Sequence, residues 1–271
     1  VFTLLCCGDM DFFSAITHTF SGISSGGFSI YNSSISQLSA YSQYVLAAAM
    51  WLSGINLTLF YLFVRVRFND LRSSLEQFFS YTFVFIILAL VVTAVLNQTM
   101  DYDLSKSLRL AFVQTASVVS TCGYVVDDTT QWLLPINFLF LLFCLRGGMA
   151  GSTSGGLKVM RMLILEKNVR NVMRNRLHPS AVNPVRLNSK PVASDVIYNV
   201  TTLFFVYCFT VVVALFLLIM DGVSTTESLG AVVGAITGYG PGLAECGGFG
   251  NYAHFPTFSK WVLAFCMLAG R

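Results

Sequence analysis

The sequence predicts an all-α membrane protein built from repeated units, each consisting of a short helix, a re-entrant loop and a spanning helix. Composition is the first observation behind this fold class, because 55% of the 271 residues are hydrophobic and only 11% are charged. A soluble domain carries charge on about a quarter of its residues. The second observation is the alternation of long apolar segments with shorter amphipathic ones, and the third is a glycine-containing segment that recurs along the chain.

Four long apolar segments are predicted to cross the membrane, since a helix needs about 20 apolar residues to span a hydrocarbon core about 30 Å thick. They cover residues 41–64, 78–97, 132–145 with a continuation to 165, and 196–220. A fifth begins near residue 257 and reaches Arg271, the last residue. We expect the chain, which begins at Val1, to be a fragment of a longer protein.

Three shorter amphipathic stretches lie between the long segments, at Phe12–Ser24, Ser105–Ser120 and Thr225–Thr237. They are too short to cross a membrane. Each ends in a few residues that contain glycine, and polar residues follow before the next long helix. This order predicts short helices that enter the membrane and stop partway.

The distribution of charge predicts how the segments are oriented. The linkers 65–77 and 158–195 contain eleven of the sixteen basic residues, so we expect them to face the cytoplasm. The opposite side of the membrane then has nine acidic and three basic residues. They are Asp9, Asp11, Asp101, Asp103, Asp127, Asp128, Asp221, Glu227 and Glu245, and Lys106, Arg109 and Lys260. An outward-facing vestibule of this charge should concentrate cations. For any single acid, an ordinary solvated loop residue is the alternative interpretation.

Three segments align on their glycines and define the repeat: Phe20–Phe28, Ala116–Tyr124 and Val233–Pro241. Gly27, Gly123 and Gly240 occupy the same position in the alignment and lie about a hundred residues apart. One such segment alone is typical of an ordinary turn. Three of them, each after a short helix and before a spanning one, predict repeated pore loops.

The repeated segments have the chemistry of a cation pore. A short helix that stops within the membrane directs the negative end of its dipole inward, and backbone carbonyls after it can replace the water shell of an ion. The turn needs backbone angles that favour glycine, and irregular backbone inside a membrane is tolerated only around a cavity. We therefore expect the units to surround a central pore, as in potassium channels. The candidate ion-binding residues are Ser25, Gly26, Gly27, Thr121, Cys122, Gly123, Gly238, Tyr239 and Gly240.

A glycine-rich break interrupts the third long apolar segment between Arg146 and Lys158. A helix cannot continue through so many glycines without cost, and the apolar residues on both sides place the break inside the membrane, below the pore loops. A phosphate-binding loop is excluded because Leu157 stands where that motif requires lysine. An inert kink is one interpretation of this break, and the other, implied by the family resemblance given below, is a gating loop. Its candidate residues are Gly147, Gly148, Gly151, Ser152, Thr153, Ser154, Gly155 and Gly156.

Arg271 and Lys158 are the candidate barrier residues beside this loop. An ionisable residue in an apolar run is expected to face a pore, where a positive charge opposes the passage of cations. The alternative for Arg271 is an arginine at a helix end that extends to the head groups. His18, His178 and His254 are far apart in the sequence, so we expect no metal site, and we expect His18 to bond a neighbouring backbone group.

The chain resembles the Trk/Ktr/HKT superfamily of potassium transporters over essentially its whole length. The resemblance rests on these motifs: Thr17–Ser21 leading to Gly26–Ser29, Thr121–Tyr124 followed by Asp127 and Asp128, Gly240–Leu243, and Lys260–Trp261 through to Ala269–Arg271. They are most similar to the bacterial Trk branch. Because four units surround a single pore in that superfamily, the resemblance implies that the first unit lies outside this chain. It divides the chain into parts of the second, third and fourth units at residues 1–77, 78–195 and 196–271.

The resemblance also implies a function and partners. It implies potassium uptake across the bacterial inner membrane, with K⁺ as the transported ion and no cofactor in this chain. The implied partners are membrane lipid, a second copy in a homodimer and a cytosolic nucleotide-binding regulatory subunit that meets the basic linker, with no nucleic acid. Two alternatives are the channel-like subunit of a potassium-pumping ATPase complex and a sodium-permeable relative. A membrane-embedded enzyme is disfavoured because no carboxylate pair, Ser–His arrangement or metal cluster is evident in the apolar segments.

Overall fold

The chain is mainly helical in a computed structural model that describes residues 1–65, 75–100, 102–177, 184–188 and 190–271. The helices in these ranges are α1 (Phe2–Cys6), α2 (Phe12–Ile23), α3 (Ala40–Ser53), α4 (Leu57–Val64), α5 (Leu75–Thr99), α6 (Leu104–Val119), α7 (Leu134–Arg146), α8 (Val159–Leu177), α9 (Ser194–Met220), α10 (Thr225–Thr237) and α11 (Thr257–Gly270). Two 3-10 turns lie at Thr129–Gln131 and Ala244–Cys246. A small antiparallel hairpin pairs β1 (Arg186–Leu187) with β2 (Lys190–Pro191).

Three short helices, α2, α6 and α10, coincide with the predicted amphipathic stretches to within one residue at either end. Helix α10 begins at the N-cap residue Ser224, whose Oγ accepts the backbone N–H of Glu227 and whose hydroxyl donates to the Glu227 carboxylate. It ends at Gly238, whose left-handed φ of 70° is typical of a helix end. Most of α6 and α10 is buried, so these short helices lie inside the bundle.

The longer apolar helices surround the short ones. Helices α5 and α9 are long and apolar enough to span a membrane, whereas α7 and α11 are apolar but have 13 and 14 residues. The most apolar window of α9 is only 11% buried. A helix that is apolar on all sides and remains uncovered by protein suits contact with lipid.

The continuous span predicted over residues 41–64 is wrong. The chain bends by 93° between α3 and α4, at Gly54–Asn56. Gly54 ends α3, and the side chain of Asn56 starts α4 by accepting the backbone N–H of Thr58 at 2.8 Å. A Cβ at Gly54 would overlap the Tyr81 hydroxyl, which donates to the Trp51 carbonyl at 3.1 Å. The bend is therefore set by one glycine, one capping residue and close packing against α5.

The predicted break in the third apolar segment is present, and residues 147–158 separate α7 from α8. Helix α8 then continues to Leu177, so the basic residues from Lys167 to Arg176 in the predicted linker 158–195 lie on a helix. Lys167 pairs with Glu76 and thereby joins α8 to the first turn of α5. Part of both basic linkers, including Arg67, Arg72 and His178, lies outside the described residues.

Two clusters of buried apolar side chains hold the helices together. The larger joins α3, α5, α6 and α7, with Leu46, Leu88 and Val113 among its members. The smaller joins α9, α10 and α11 and includes Leu218 and Val232. The larger cluster combines residues from the predicted ranges 1–77 and 78–195, and the division into units stays a prediction.

Candidate ion pathway

The three glycine segments meet around one cavity, although they are far apart in the sequence. Gly27, Gly123 and Gly240 all line this cavity, which has a volume of about 290 Å³. Its remaining lining comes from the loops that follow the three segments, including Phe28 and Tyr252. The repeat recognised in the sequence therefore has a common location in space.

The three segments also share a backbone shape. Their first residues have φ angles of 52° at Ser25, 52° at Thr121 and 70° at Gly238. Their third residues are the predicted glycines Gly27, Gly123 and Gly240, with φ angles of 69°, 94° and 94°. A left-handed conformation costs a residue with a side chain about 1–2 kcal/mol. Its presence at both Ser25 and Thr121 indicates that the surrounding contacts impose this shape on the backbone.

Each segment folds back onto the last turn of its short helix. The backbone N–H of Gly26 donates to the Ser21 carbonyl at 2.8 Å, and that of Cys122 donates to the Ser117 carbonyl at 2.9 Å. The third segment has a related bond of 3.1 Å from the Gly240 N–H to the carbonyl of Gly234. These bonds fix the segments relative to the helix ends that they follow.

Neighbouring segments approach too closely for any side chain at two of the glycines. A Cβ at Gly27 would overlap the carbonyl oxygen of Cys122, and a Cβ at Gly123 would overlap that of Tyr239. Around Gly240, no described atom lies within 4 Å of the corresponding position. The segments thus follow one another around the cavity in chain order, and the side beside Gly240 is open.

Several side chains that the sequence analysis did not single out brace these segments. The Tyr124 hydroxyl donates to the Phe28 carbonyl at 3.1 Å, which connects the second segment to the first. Gln114, buried on α6, donates to the Tyr239 hydroxyl at 2.9 Å and so connects α6 to the third segment. The Tyr252 hydroxyl donates to the carbonyl of Gly240 at 2.6 Å. A lone amide in an apolar helix is the sequence signal that could have identified Gln114.

His18 has the environment predicted for it. Its Nδ1 lies 2.8 Å from the carbonyl of Ser14, and its Nε2 lies 3.0 Å from the hydroxyl of Ser29. The ring stacks between Tyr31 and Tyr124, with centroid separations of 5.8 and 5.9 Å. The prediction that His18 bonds neighbouring backbone is confirmed, and its second nitrogen supports the chain just after the first segment.

The glycine-rich loop, residues 147–158, contacts the ends of all three short helices. The Thr153 hydroxyl donates to the carbonyl of Ile23, the last residue of α2, at 3.1 Å. The Gly155 N–H donates to the hydroxyl of Thr121, just beyond α6, at 2.6 Å. A Cβ at Gly155 would overlap the carbonyl of Thr237, the last residue of α10. The loop therefore lies against the carbonyl ends of the helices that carry the segments.

The same loop fills the bend between α3 and α4. The Met149 N–H donates to the Gly54 carbonyl at 2.9 Å, and the Leu57 N–H donates to the Gly151 carbonyl at 3.2 Å. A Cβ at Gly151 would lie 2.7 Å from the Asn56 side-chain oxygen. Backbone groups left without helical partners at the bend are thus paired with the loop.

Hydroxyl groups and one lysine hold the loop internally. Ser154 Oγ accepts the N–H of Gly148 at 3.0 Å and lies 2.7 Å from Ser152 Oγ. The Lys158 ammonium donates to the carbonyl of Ser152 at 3.1 Å and also to that of Ser154. Its positive charge is therefore engaged with the loop itself.

Arg271 lies near the last residues of the glycine-rich loop. It lines a cavity of about 500 Å³ together with Gly156, Leu157, Arg161 and Tyr207. The Lys158 ammonium is close enough to Arg271 for the two positive charges to repel each other. The structure thus brings both predicted barrier residues to the glycine-rich loop.

Several of the acidic residues predicted to form an outer vestibule bond nearby loops and helix ends. The Asp127 carboxylate accepts the indole N–H of Trp132 at 3.3 Å. The carboxylate of Asp221 accepts the backbone N–H of Ser259 at 3.1 Å, in the first turn of α11. Asp101 lies outside the described residues. A structural role thus accompanies any attraction that these carboxylates have for cations.

The chain is similar in sequence to known transport proteins. The chain matches the family described as TrkH, cation transport protein, over residues 8–271. The Trk system potassium uptake protein TrkH of Salmonella typhimurium (strain LT2) is 31% identical over 264 residues, which make up 97% of this chain and 54% of that protein. TrkI of Halomonas elongata is 30% identical over 279 residues, covering 100% of this chain and 56% of the relative. The chain spans about half the length of these relatives.

A solved structure shares the fold. The crystal structure of the potassium transporter TrkH from Vibrio parahaemolyticus superimposes with a TM-score of 0.92 at 27% identity, covering 99% of this chain and 58% of that one. This likeness confirms the predicted fold class, an all-α membrane protein of repeated pore-loop units. The expectation of a transporter, and not an enzyme, agrees with the family description. The chain belongs to the TrkH family of cation transport proteins.

Proposed function

We propose that the chain forms part of the pore of a potassium-uptake protein. The observation that carries this proposal is the meeting of three segments with matching backbone angles around one cavity. Carbonyl groups of such segments can replace the water shell of K⁺. The curated relatives are named as potassium uptake proteins, which supports the choice of ion.

The proposed ion-binding residues are those of the three segments, Ser25–Gly27, Thr121–Gly123 and Gly238–Gly240. The open side beside Gly240 leaves room for a fourth segment. We assign that place to the further unit implied by the superfamily, so that four segments surround the ion.

The glycine-rich loop is proposed as the gate. Its contacts with the ends of α2 and α10 and with Thr121 support this role, because an ion that left the segments between these helix ends would meet the loop. Lys158 and Arg271 add positive charge there, which opposes the passage of cations. Movement of the loop away from the helix ends would open the path.

The partners proposed are membrane lipid, a second copy in a homodimer and a cytosolic nucleotide-binding regulatory subunit, in the bacterial inner membrane. A basic cavity of about 470 Å³ supports a cytosolic acidic or phosphate-bearing partner, since Lys167, Arg170, Arg174 and Arg186 line it. The basic residues also support a cytoplasmic location for this end of the molecule.

Growth at low potassium tests the proposed function. The intact protein, expressed in bacteria that lack potassium uptake systems, should restore growth in low-potassium medium. Purified intact protein in liposomes should pass K⁺ in preference to Na⁺. Equal passage of both ions would contradict the proposed selectivity, and dependence on ATP hydrolysis by a partner would favour the pump subunit instead.

A further inference from the structure

One cluster of side chains, which includes two of the acidic residues predicted for the outer vestibule, has the composition of a metal site. Glu227, Glu245 and His254 each offer one ligand atom, and these three atoms lie within 4.8 Å of one another. Glu227 lies in the first turn of α10, whereas Glu245 and His254 belong to the connection between α10 and α11. Histidine spacing in the sequence does not reveal such a site, because only one imidazole takes part.

The distances within the cluster suit a metal better than direct hydrogen bonds. His254 Nε2 lies 3.7 Å from Glu227 Oε1 and 4.0 Å from Glu245 Oε2, both longer than a hydrogen bond. Tetrahedral ligands of zinc are about 3.3 Å apart, because each lies about 2.05 Å from the ion. The side chain of Glu245 is 78% exposed and free to make the small inward movement that this geometry requires.

Glu227 is already oriented for such a role. Its Oε2 accepts the Ser224 hydroxyl at 2.8 Å, and its Oε1 faces His254. A hydrogen bond to the oxygen that does not face the metal fixes the direction of a carboxylate ligand. The nearby Lys260 ammonium is engaged elsewhere, since it donates to the Ala253 carbonyl at 2.8 Å.

The ligand set distinguishes a metal from an ordinary ion pair. Both carboxylates face the same nitrogen of His254, and its one N–H can serve only one of them well. A metal ion can bond all three atoms at once. One imidazole with two carboxylates suits zinc and neighbouring transition metals, whereas Mg²⁺ and Ca²⁺ prefer oxygen ligands alone.

We propose that Glu227, Glu245 and His254 bind a divalent transition-metal ion of the zinc class, with water completing its coordination. The ion ties the connection after the third glycine segment to the start of the helix before it. This site is additional to the proposed potassium transport. Its test measures metal binding directly, so the result does not depend on transport.

Cobalt(II) titration of the purified intact protein, followed by visible absorption, tests the site. The exposed thiols of Cys6, Cys7 and Cys208 are alkylated first, since free cysteines also bind cobalt. We expect one saturable site that zinc displaces. H254A and E245Q should each weaken binding by at least about tenfold, whereas D195N, a matched change of an exposed carboxylate at the start of α9, should leave the affinity unchanged.

The titration can also overturn the proposal. Absence of saturable cobalt binding would do so, and so would an unchanged affinity in H254A. Gel filtration of each variant checks that it keeps the wild-type elution volume. Because His254 and Glu245 are exposed, we expect both variants to fold.

Discussion

The glycine segments and the glycine-rich loop below them are both irregular backbone inside a helix bundle, but different contacts hold them. At Gly27 and Gly123 the neighbouring backbone leaves no room for a Cβ. The loop is as crowded at Gly155, where a Cβ would overlap the Thr237 carbonyl. It differs in that the hydroxyls of Ser152 and Ser154 and the Lys158 ammonium also hold it. Side-chain hydrogen bonds can exchange for others at a net cost of about 1 kcal/mol each, so this part of the loop's support can be rearranged. The segments are therefore suited to a fixed filter and the loop to movement.

The largest effect should follow a change at Gly123. G123A puts a methyl group against the carbonyl of Tyr239 at a residue with φ of 94°. Potassium uptake by intact protein should fall by at least about tenfold, because a small displacement of positioned groups is costly. G222A is the matched control, since Gly222 has φ of 91° and no described atom within 4 Å of an added Cβ. Equal loss of uptake in both variants would mean that backbone strain, and not the close approach, sets the requirement for glycine.

Removal of the loop should have the opposite effect. Deletion of Gly148–Ser154 removes the contacts with Ile23 and Gly54 and should raise potassium leak severalfold in liposome flux measurements. K158M is the second variant, in case the deletion prevents folding, and it should raise leak less because it removes only the bonds to the loop carbonyls. An unchanged flux in both folded variants would contradict the gating assignment.

A smaller effect is expected at the brace between α6 and the third segment. Q114L removes the bond to the Tyr239 hydroxyl and leaves that buried group without its partner, at a cost of about 1–3 kcal/mol. Thermal unfolding should therefore shift downward, and the preference for K⁺ over Na⁺ should weaken. Q131L, a change of the same type on an exposed 3-10 turn, should leave the ion preference unchanged. A wild-type ion preference in Q114L would show that Tyr239 does not need this brace.

The smallest effect concerns an outer loop. Hydrogen bonds from Thr130 hold the pKa of Asp128 below its ordinary value. A lowered pKa contributes stability above the unfolded value of about 3.9, and that contribution is lost as the pH falls through the folded value. The difference in melting temperature between wild type and D128N should thus shrink below about pH 4. An equal difference at pH 3 and pH 7 would contradict this linkage.

Much of the fold could be predicted from local patterns. The short helices follow from amphipathic stretches that are too short to span a membrane, and the repeat follows from Gly27, Gly123 and Gly240. The bend between α3 and α4 could not be predicted from the sequence. Gly54 and Asn56 are isolated residues within a long apolar run, and a continuous spanning helix can also contain such residues. The cause of the bend is packing against Tyr81 and the glycine-rich loop, which the local sequence does not contain.

The contacts that complete the candidate site join residues far apart in the sequence. Gln114 and Tyr239 are separated by 125 positions, and Thr153 and Ile23 by 130. Single-sequence patterns carry no information about such pairs. The residues of the segments and the loop could be identified from the sequence. The side-chain bonds that brace the segments, and the contacts of the loop with the helix ends, could be identified only from the structure.

The central claim is that the three segments surround the transported ion. Crystals of the intact protein soaked in Rb⁺ or Tl⁺, which substitute for K⁺, test it through anomalous scattering. The account predicts peaks on an axis between the segments that contain Gly27, Gly123 and Gly240. Well-occupied peaks elsewhere along the chain, with none between these segments, would contradict it.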